Sequence, residues 1–406
     1  YNEFVGRIGI GELAMALTGY PAKKDEQFAE NFIEQKKEWF GEGEDRARQE
    51  KRNTGSYCCG DFTESKRNDF EDRMTVEKRI ENQSGIRENC IVAGDFELKE
   101  YKEHKEYKEY KEQERKNTEV AVELDRPELY ERYLSMKFRD FMDWYWNVNG
   151  AKELGKRMPV PERIYVGNAF CHLLFPEKRQ LFEILKKAES EGLAVTVTFS
   201  YLREFMLKPV ENLLDELEEW CRNRETFLEI AANDWGLLEL LRERKDRKEV
   251  FVPCMGTLLN KRKKDPRMGY KQGDTGYFRE NSLNAEFYRT YLRDTFGIRR
   301  YEWESCGYRQ QFPEGKNSIH VPFYQTNTSQ YCTLYAACKN GERGKQELPE
   351  SCPGYCREKV FLYPKHLKMV GRYNSLFALD ESAVSGMMDM EMWKKQGIDR
   401  LVVNLL

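Results

Sequence analysis

Hydrophobic positions are spread unevenly along the 406 residues. From residue 118 onward, short β-branched runs alternate with segments whose apolar residues recur at helical spacing. Strands are expected at 120–124, 163–170, 194–201, 227–232, 250–255, 298–304, 319–324 and 398–404. Helices are expected between most of them, at 128–146, 176–189, 209–220, 235–244, 282–296 and 387–396. Such alternation argues for an α/β protein with a parallel sheet covered by helices. Eight strands make a (β/α)8 TIM-like barrel the natural closure. The alternation lapses twice. Only a loop with Pro313 and Gly315 joins the strands at 298–304 and 319–324, and 326–380 is a cysteine-rich loop with strand-like pieces near 359–363 and 372–379. The barrel is therefore expected to be incomplete or distorted there, with an open doubly wound sheet as the alternative.

Residues 1–117 read differently. Glu, Lys, Arg, Asn and Gly dominate 22–87, and 99–116 repeats Lys-Glu-Tyr with a period of three. A charged helix or solvated linker accounts for this segment, so 1–117 is read as an arm or insertion and 118–406 as the barrel. Lys+Arg 67 against Asp+Glu 70 gives a net charge of −3, which announces neither a nucleic-acid-binding field nor an acidic tail. No apolar run approaches the roughly 20 residues needed to span a bilayer, so no membrane span is expected. Beginning at Tyr1 and closing on the strand-like 401–406, the sequence reads as a fragment of a longer protein.

Eleven cysteines in a long, charged chain do not resemble a secreted disulfide framework; a reducing cytoplasm fits better. Cys221 and Cys254 fall on apolar patterns and read as small core residues. Cys332, Cys338, Cys352 and Cys356 crowd into one loop, where Cys352-Pro-Gly-Tyr-Cys356 sets two thiols around a turn-forming pair. Thiolates bind soft metals, so the occupants to consider are an iron–sulfur cluster and, second, zinc. Cys171 directly follows the strand at 163–170, and the cysteine-rich loop follows the strand at 319–324. In a (β/α)8 barrel both points lie on the ligand-binding face. Cys171, Cys332, Cys352 and Cys356 are thus the candidate ligands, with Cys338 competing. Lys261-Arg262-Lys263-Lys264 could meet RNA phosphate, but a run this short more often belongs to a solvated loop.

At these residues the chain resembles the collagenase-like peptidase family (peptidase family U thirty-two), most nearly its anaerobic ubiquinone-hydroxylation branch. The strand Tyr165-Val166-Gly167 leading to Cys171 resembles the first signature, and Trp303-Glu304-Ser305 the Glu-containing strand. His320 and the run to Tyr331-Cys332 resemble the His-to-Cys segment, and Cys352 and Cys356 followed by Phe361-Leu362-Tyr363-Pro364 resemble the cysteine pair and hairpin. The resemblance covers roughly 118–406. It implies a 4Fe–4S cluster in a barrel, supporting oxygen-independent hydroxylation of RNA or an aromatic small molecule, with a partner protein of the same family. Cys338 and the long loop depart from the family pattern, and so does His172-Leu173-Leu174-Phe175 where the family is arginine-rich.

Three functions follow as expectations. In a hydroxylase-like enzyme, Glu304 could serve as acid or base at the barrel mouth and His320 could donate a hydrogen bond. Glu304 reads more readily as the partner of a barrel arginine such as Arg300, and His320 equally well as a satisfied core histidine. A peptidase needs an activated nucleophile or a metal-bound water, and with only four histidines a nucleophile–His pair is hard to assemble. The third is a non-catalytic binding module stapled by zinc.

Overall fold

A computed structural model describes residues 36–37, 118–244, 250–269, 276–345, 347–357 and 359–406. The arm expected over 1–117 lies outside the described residues apart from Lys36 and Lys37, as do Cys58, Cys59 and Cys90.

Eight parallel strands close into a barrel. They are β1 (Glu119–Leu124), β2 (Arg163–Gly167), β3 (Ala194–Phe199), β4 (Leu228–Ala232), β5 (Phe251–Met255), β6 (Arg300–Glu304), β7 (Lys316–Val321) and β12 (Arg400–Val403). Their order around the barrel is β1-β12-β7-β6-β5-β4-β3-β2, which excludes the open sheet. The sheet closes where β1 pairs with β12, Glu119 opposite Arg400.

Three helices, α1 (Pro127–Ser135), α2 (Phe138–Val148) and α3 (Lys152–Arg157), link β1 to β2. Single helices make the next four crossovers: α4 (Lys178–Ser190), α5 (Leu207–Asn223), α6 (Trp235–Arg242) and α7 (Glu286–Phe296). The helix expected over 128–146 is broken at Met136 by a carboxylate. Glu191 accepts the Phe138 N–H at 3.0 Å and the Tyr133 hydroxyl at 3.0 Å, so it starts a second helix in a new direction.

The expected strand at 319–324 is in fact two. Pro322 has no N–H to give a ladder; β7 stops at Val321, and β8 (Phe323–Thr328) leaves the barrel for a second sheet of order β8-β11-β10-β9. That antiparallel sheet contains β9 (Phe361–Leu362), β10 (Met369–Arg372) and β11 (Ser375–Leu379). With α8 (Thr333–Asn340) it forms a cap, and α9 (Glu381–Gly386) and α10 (Met390–Lys395) lead back to β12. The distortion expected from sequence is therefore local: β6 reaches β7 through a loop with no α-helix, and the cap occupies the last crossover.

The strands bury both faces. Outward residues such as Val120, Val122, Ile164, Val166, Ile230, Leu401 and Val403 pack under the helices in the main core, each burial stabilising by about 1.5–3 kcal/mol. Inward residues are mostly polar, and a separate small apolar cluster of Ala121, Tyr165 and Val402 interrupts them. Gly167, the last residue of β2, has φ +116°, and a Cβ there would lie 2.1 Å from the Thr198 carbonyl oxygen. A Gly167→Ala chain is expected to lose roughly 3 kcal/mol through backbone strain and overpacking, read as a lower urea midpoint.

Candidate functional site

The strand sequences alternate polar and apolar residues, and in a closed barrel the polar set points to the axis. At the amino-terminal end this places Glu119, Arg163, Glu229, Arg300 and Arg400 together. Glu119 bridges Arg163 Nε at 3.1 Å and Arg400 Nε at 2.8 Å. Glu229 accepts from Arg400 NH1 at 2.7 Å and from the Thr196 hydroxyl at 2.8 Å. Burial opposes the Glu229 charge, but Arg400, Arg163 and Arg300 outweigh it and hold the carboxyl well below its usual range. Arg300 is paired with Asp399 at 2.6 Å and not with Glu304, as the sequence reading had allowed.

One step up the axis, the Tyr165 hydroxyl accepts from Arg400 NH1 at 2.8 Å and donates to Glu302 at 3.1 Å. Ser318 also donates to Glu302, at 3.2 Å. Glu302 in turn meets His320 Nε2 at 2.9 Å, while His320 Nδ1 pairs with Glu123. Burial disfavours a charged His320, yet the Glu123 and Glu302 carboxylates outweigh it and raise the imidazole to about 10. Burial pushes the Glu123 carboxyl up, and His320 pulls it back only in part. The satisfied-histidine reading and the site reading of His320 thus meet in one residue: a fully partnered imidazolium that lines a cavity.

That cavity, about 30 Å³, lies at the carboxyl end of the barrel, where (β/α)8 enzymes bind ligands. Glu123, Asp125, Glu302, Glu304 and His320 line it together with Thr198, Asn233, Phe170 and Phe377. Glu304 is buried; it pairs with Lys264 and accepts the Gln325 N–H at 2.8 Å. Lys264 belongs to the basic run read as a solvated loop, and the structure corrects that reading. Its side chain is only 8 % exposed, and Arg262 stacks 5.3 Å from the Trp303 ring. A buried carboxylate and an aromatic ring draw these two cations inward.

The cysteines gather at the rim. Asn168 Oδ1 accepts the backbone N–H groups of Phe170 and Cys171, each at 2.8 Å, and so fixes the turn that carries Cys171 off β2. Cys332 caps α8, its sulfur accepting the Tyr335 N–H at 3.3 Å. The Cys352 sulfur accepts from Gly354 N at 3.4 Å, and Arg372 donates to the Cys356 carbonyl at 3.2 Å. Burial drives the Cys171 and Cys356 thiols up to about 12. Beyond burial, the sulfurs act on one another in every pairing of Cys171, Cys332, Cys352 and Cys356. Cys338 acts on Cys332. All are free thiols, and among the described residues no group of three or more His, Cys, Asp or Glu is arranged to hold a metal ion. Tyr373 ties this rim to the barrel: its hydroxyl donates to Asp125 at 2.6 Å, and its carbonyl accepts from the Cys332 thiol at 3.2 Å. Cys221 and Cys254 are buried core residues, as read.

Glu123 and Glu302 were not foreseen. Their signal was parity: Glu302 is two residues from Glu304 on one strand, and Glu123 shares inward parity with Glu119 on β1. No model of a known protein family matches the chain, and no curated protein matches it. Among the described residues no helix is long and apolar enough to cross a membrane.

Proposed function

We propose that this barrel holds a 4Fe–4S cluster on Cys171, Cys332, Cys352 and Cys356 and acts as an oxygen-independent hydroxylase-like enzyme on RNA or an aromatic small molecule. One observation carries the metal reading: Cys332 and Cys356 both hydrogen-bond the adjacent residues Tyr373 and Arg372 of the cap, and burial together with neighbouring sulfurs raises the thiols of Cys171, Cys332 and Cys356. The donor set suits the group. Soft sulfur ligands favour iron–sulfur clusters and zinc over hard cations. Backbone N–H donors aimed at Cys332 and Cys352 are the hydrogen bonds that stabilise thiolate ligands.

When bound, such a group supplies one-electron transfer beside the cavity. The chain's own residues do the rest. His320 presents a fixed positive charge, Glu302 orients it, and Phe170 and Phe377, packed edge to face at 5.0 Å, wall the cavity from solvent. Little favours the peptidase reading. Burial lifts the Cys171 thiol to about 12 and lowers His172 to about 4, the opposite of what a thiolate–imidazolium pair requires. Purification without oxygen tests the proposal. The wild-type chain is expected to carry about four iron and four sulfide per polypeptide, and Cys356→Ala to lose most of both. Stoichiometric zinc with no sulfide would replace the enzyme reading by the stapled module.

A further inference from the structure

The charges around the cavity do not cancel. Glu304 is neutralised by Lys264, and Asp125 by Arg126 at 2.8 Å. His320 carries one positive charge between two carboxylates, Glu302 and Glu123. Those two carboxylates are not equivalent. Glu302, 1 % exposed, is held by Tyr165, Ser318 and His320 together. Among the described residues the Glu123 side chain hydrogen-bonds only to His320; it stands 22 % exposed and lines the cavity. The one excess negative charge of the triad therefore faces the space where a ligand would sit. A second polar atom there is also unmatched: Thr198 lines the same cavity, and its hydroxyl oxygen is sealed from solvent and has no hydrogen-bond partner among the described residues.

From this geometry we propose that Glu123 anchors a protonated amine of a small ligand, with Thr198 accepting a second N–H. The cavity admits one head group of about water size, and its walls of Phe170 and Phe377 leave the larger part of the ligand toward the cap. Anionic ligands are disfavoured, because Glu123, Asp125, Glu302 and Glu304 all face the cavity. Burial raises the Glu123 carboxyl, and an arriving cation opposes that effect by stabilising the ionised form. This reading stands apart from the cluster, and its test needs no iron.

The experiment is calorimetric titration of the 406-residue chain, made iron-free, with methylammonium chloride. Tetramethylammonium and acetate serve as controls. Saturable binding of methylammonium is expected, and none of tetramethylammonium, which has no N–H to donate. Glu123→Gln is expected to weaken binding at least tenfold, and Thr198→Val to weaken it less. Far-ultraviolet circular dichroism of each variant confirms the fold, and Glu123→Asp, which keeps the charge, is expected to retain measurable binding if Glu123→Gln unfolds. Equal binding by Glu123→Gln, or acetate binding as well as methylammonium, overturns the proposal.

Discussion

Replacing Arg400 with Met is expected to cost the fold about 3–5 kcal/mol, among the largest effects of any single change in the described barrel. Arg400 is 2 % exposed and engages Glu119, Glu229 and Tyr165 at once. Met fills much of the volume but leaves two carboxylates with less than their full complement of positive charge. Removing one partner from a buried ion network is costlier than removing the network whole. The measurement is urea unfolding, with the midpoint shifted and the slope unchanged. A loss under 1 kcal/mol would mean that Arg163 and Arg300 alone neutralise Glu119 and Glu229. Combining Arg400→Met with Glu119→Gln is expected to cost less than the sum of the two single changes, since each relieves the other.

Stability is also expected to fall as pH rises through the neutral range, and His320 is the cause. In the unfolded chain its imidazole gives up its proton near 6.5; in the folded barrel, faced by Glu123, Glu302 and Tyr165, it keeps it to about 10. Its contribution is therefore complete below pH 6.5 and declines toward pH 10, at up to about 1.4 kcal/mol per pH unit. Between pH 6.5 and the ordinary thiol value of 9.0, the buried cysteines do not yet add to the slope. His320→Gln is expected to flatten the profile across that window, as followed by urea midpoints at each pH. On the acid side the order reverses. The depressed Glu229 carboxyl stabilises the fold above its ordinary value of 4.5 and loses that contribution as pH drops well below it.

The strands were legible because a barrel strand keeps its outward apolar residues in a short, β-branched run whatever faces the axis. Arg300-Tyr301-Glu302-Trp303-Glu304 shows both the strength and the limit of that reading. Tyr301 and Trp303 mark the strand, while the alternating Arg and Glu look like a solvated face. Only closure of the sheet turns them inward, and closure is a property of eight strands together. Glu304 was singled out because Trp303-Glu304-Ser305 resembles a Glu-containing strand, while Glu302, two residues earlier and more completely buried, was passed over. The partner of Glu304 escaped because Lys264 is forty residues away on a loop, where local sequence cannot distinguish a buried lysine from its exposed neighbours Lys261 and Lys263. The cysteines were easier: a sulfur at the end of a parallel strand and three more after another strand must share the barrel's ligand-binding face. That placement needed only topology, and topology follows from strand count.

The ion-pair layer of Glu119, Arg163, Glu229, Arg300 and Arg400 has one last consequence. Locked side chains fill the lower bore, so traffic through the axis is one-way in and the same way out. Whatever occupies the cavity is therefore expected to enter and leave at the carboxyl end of the barrel.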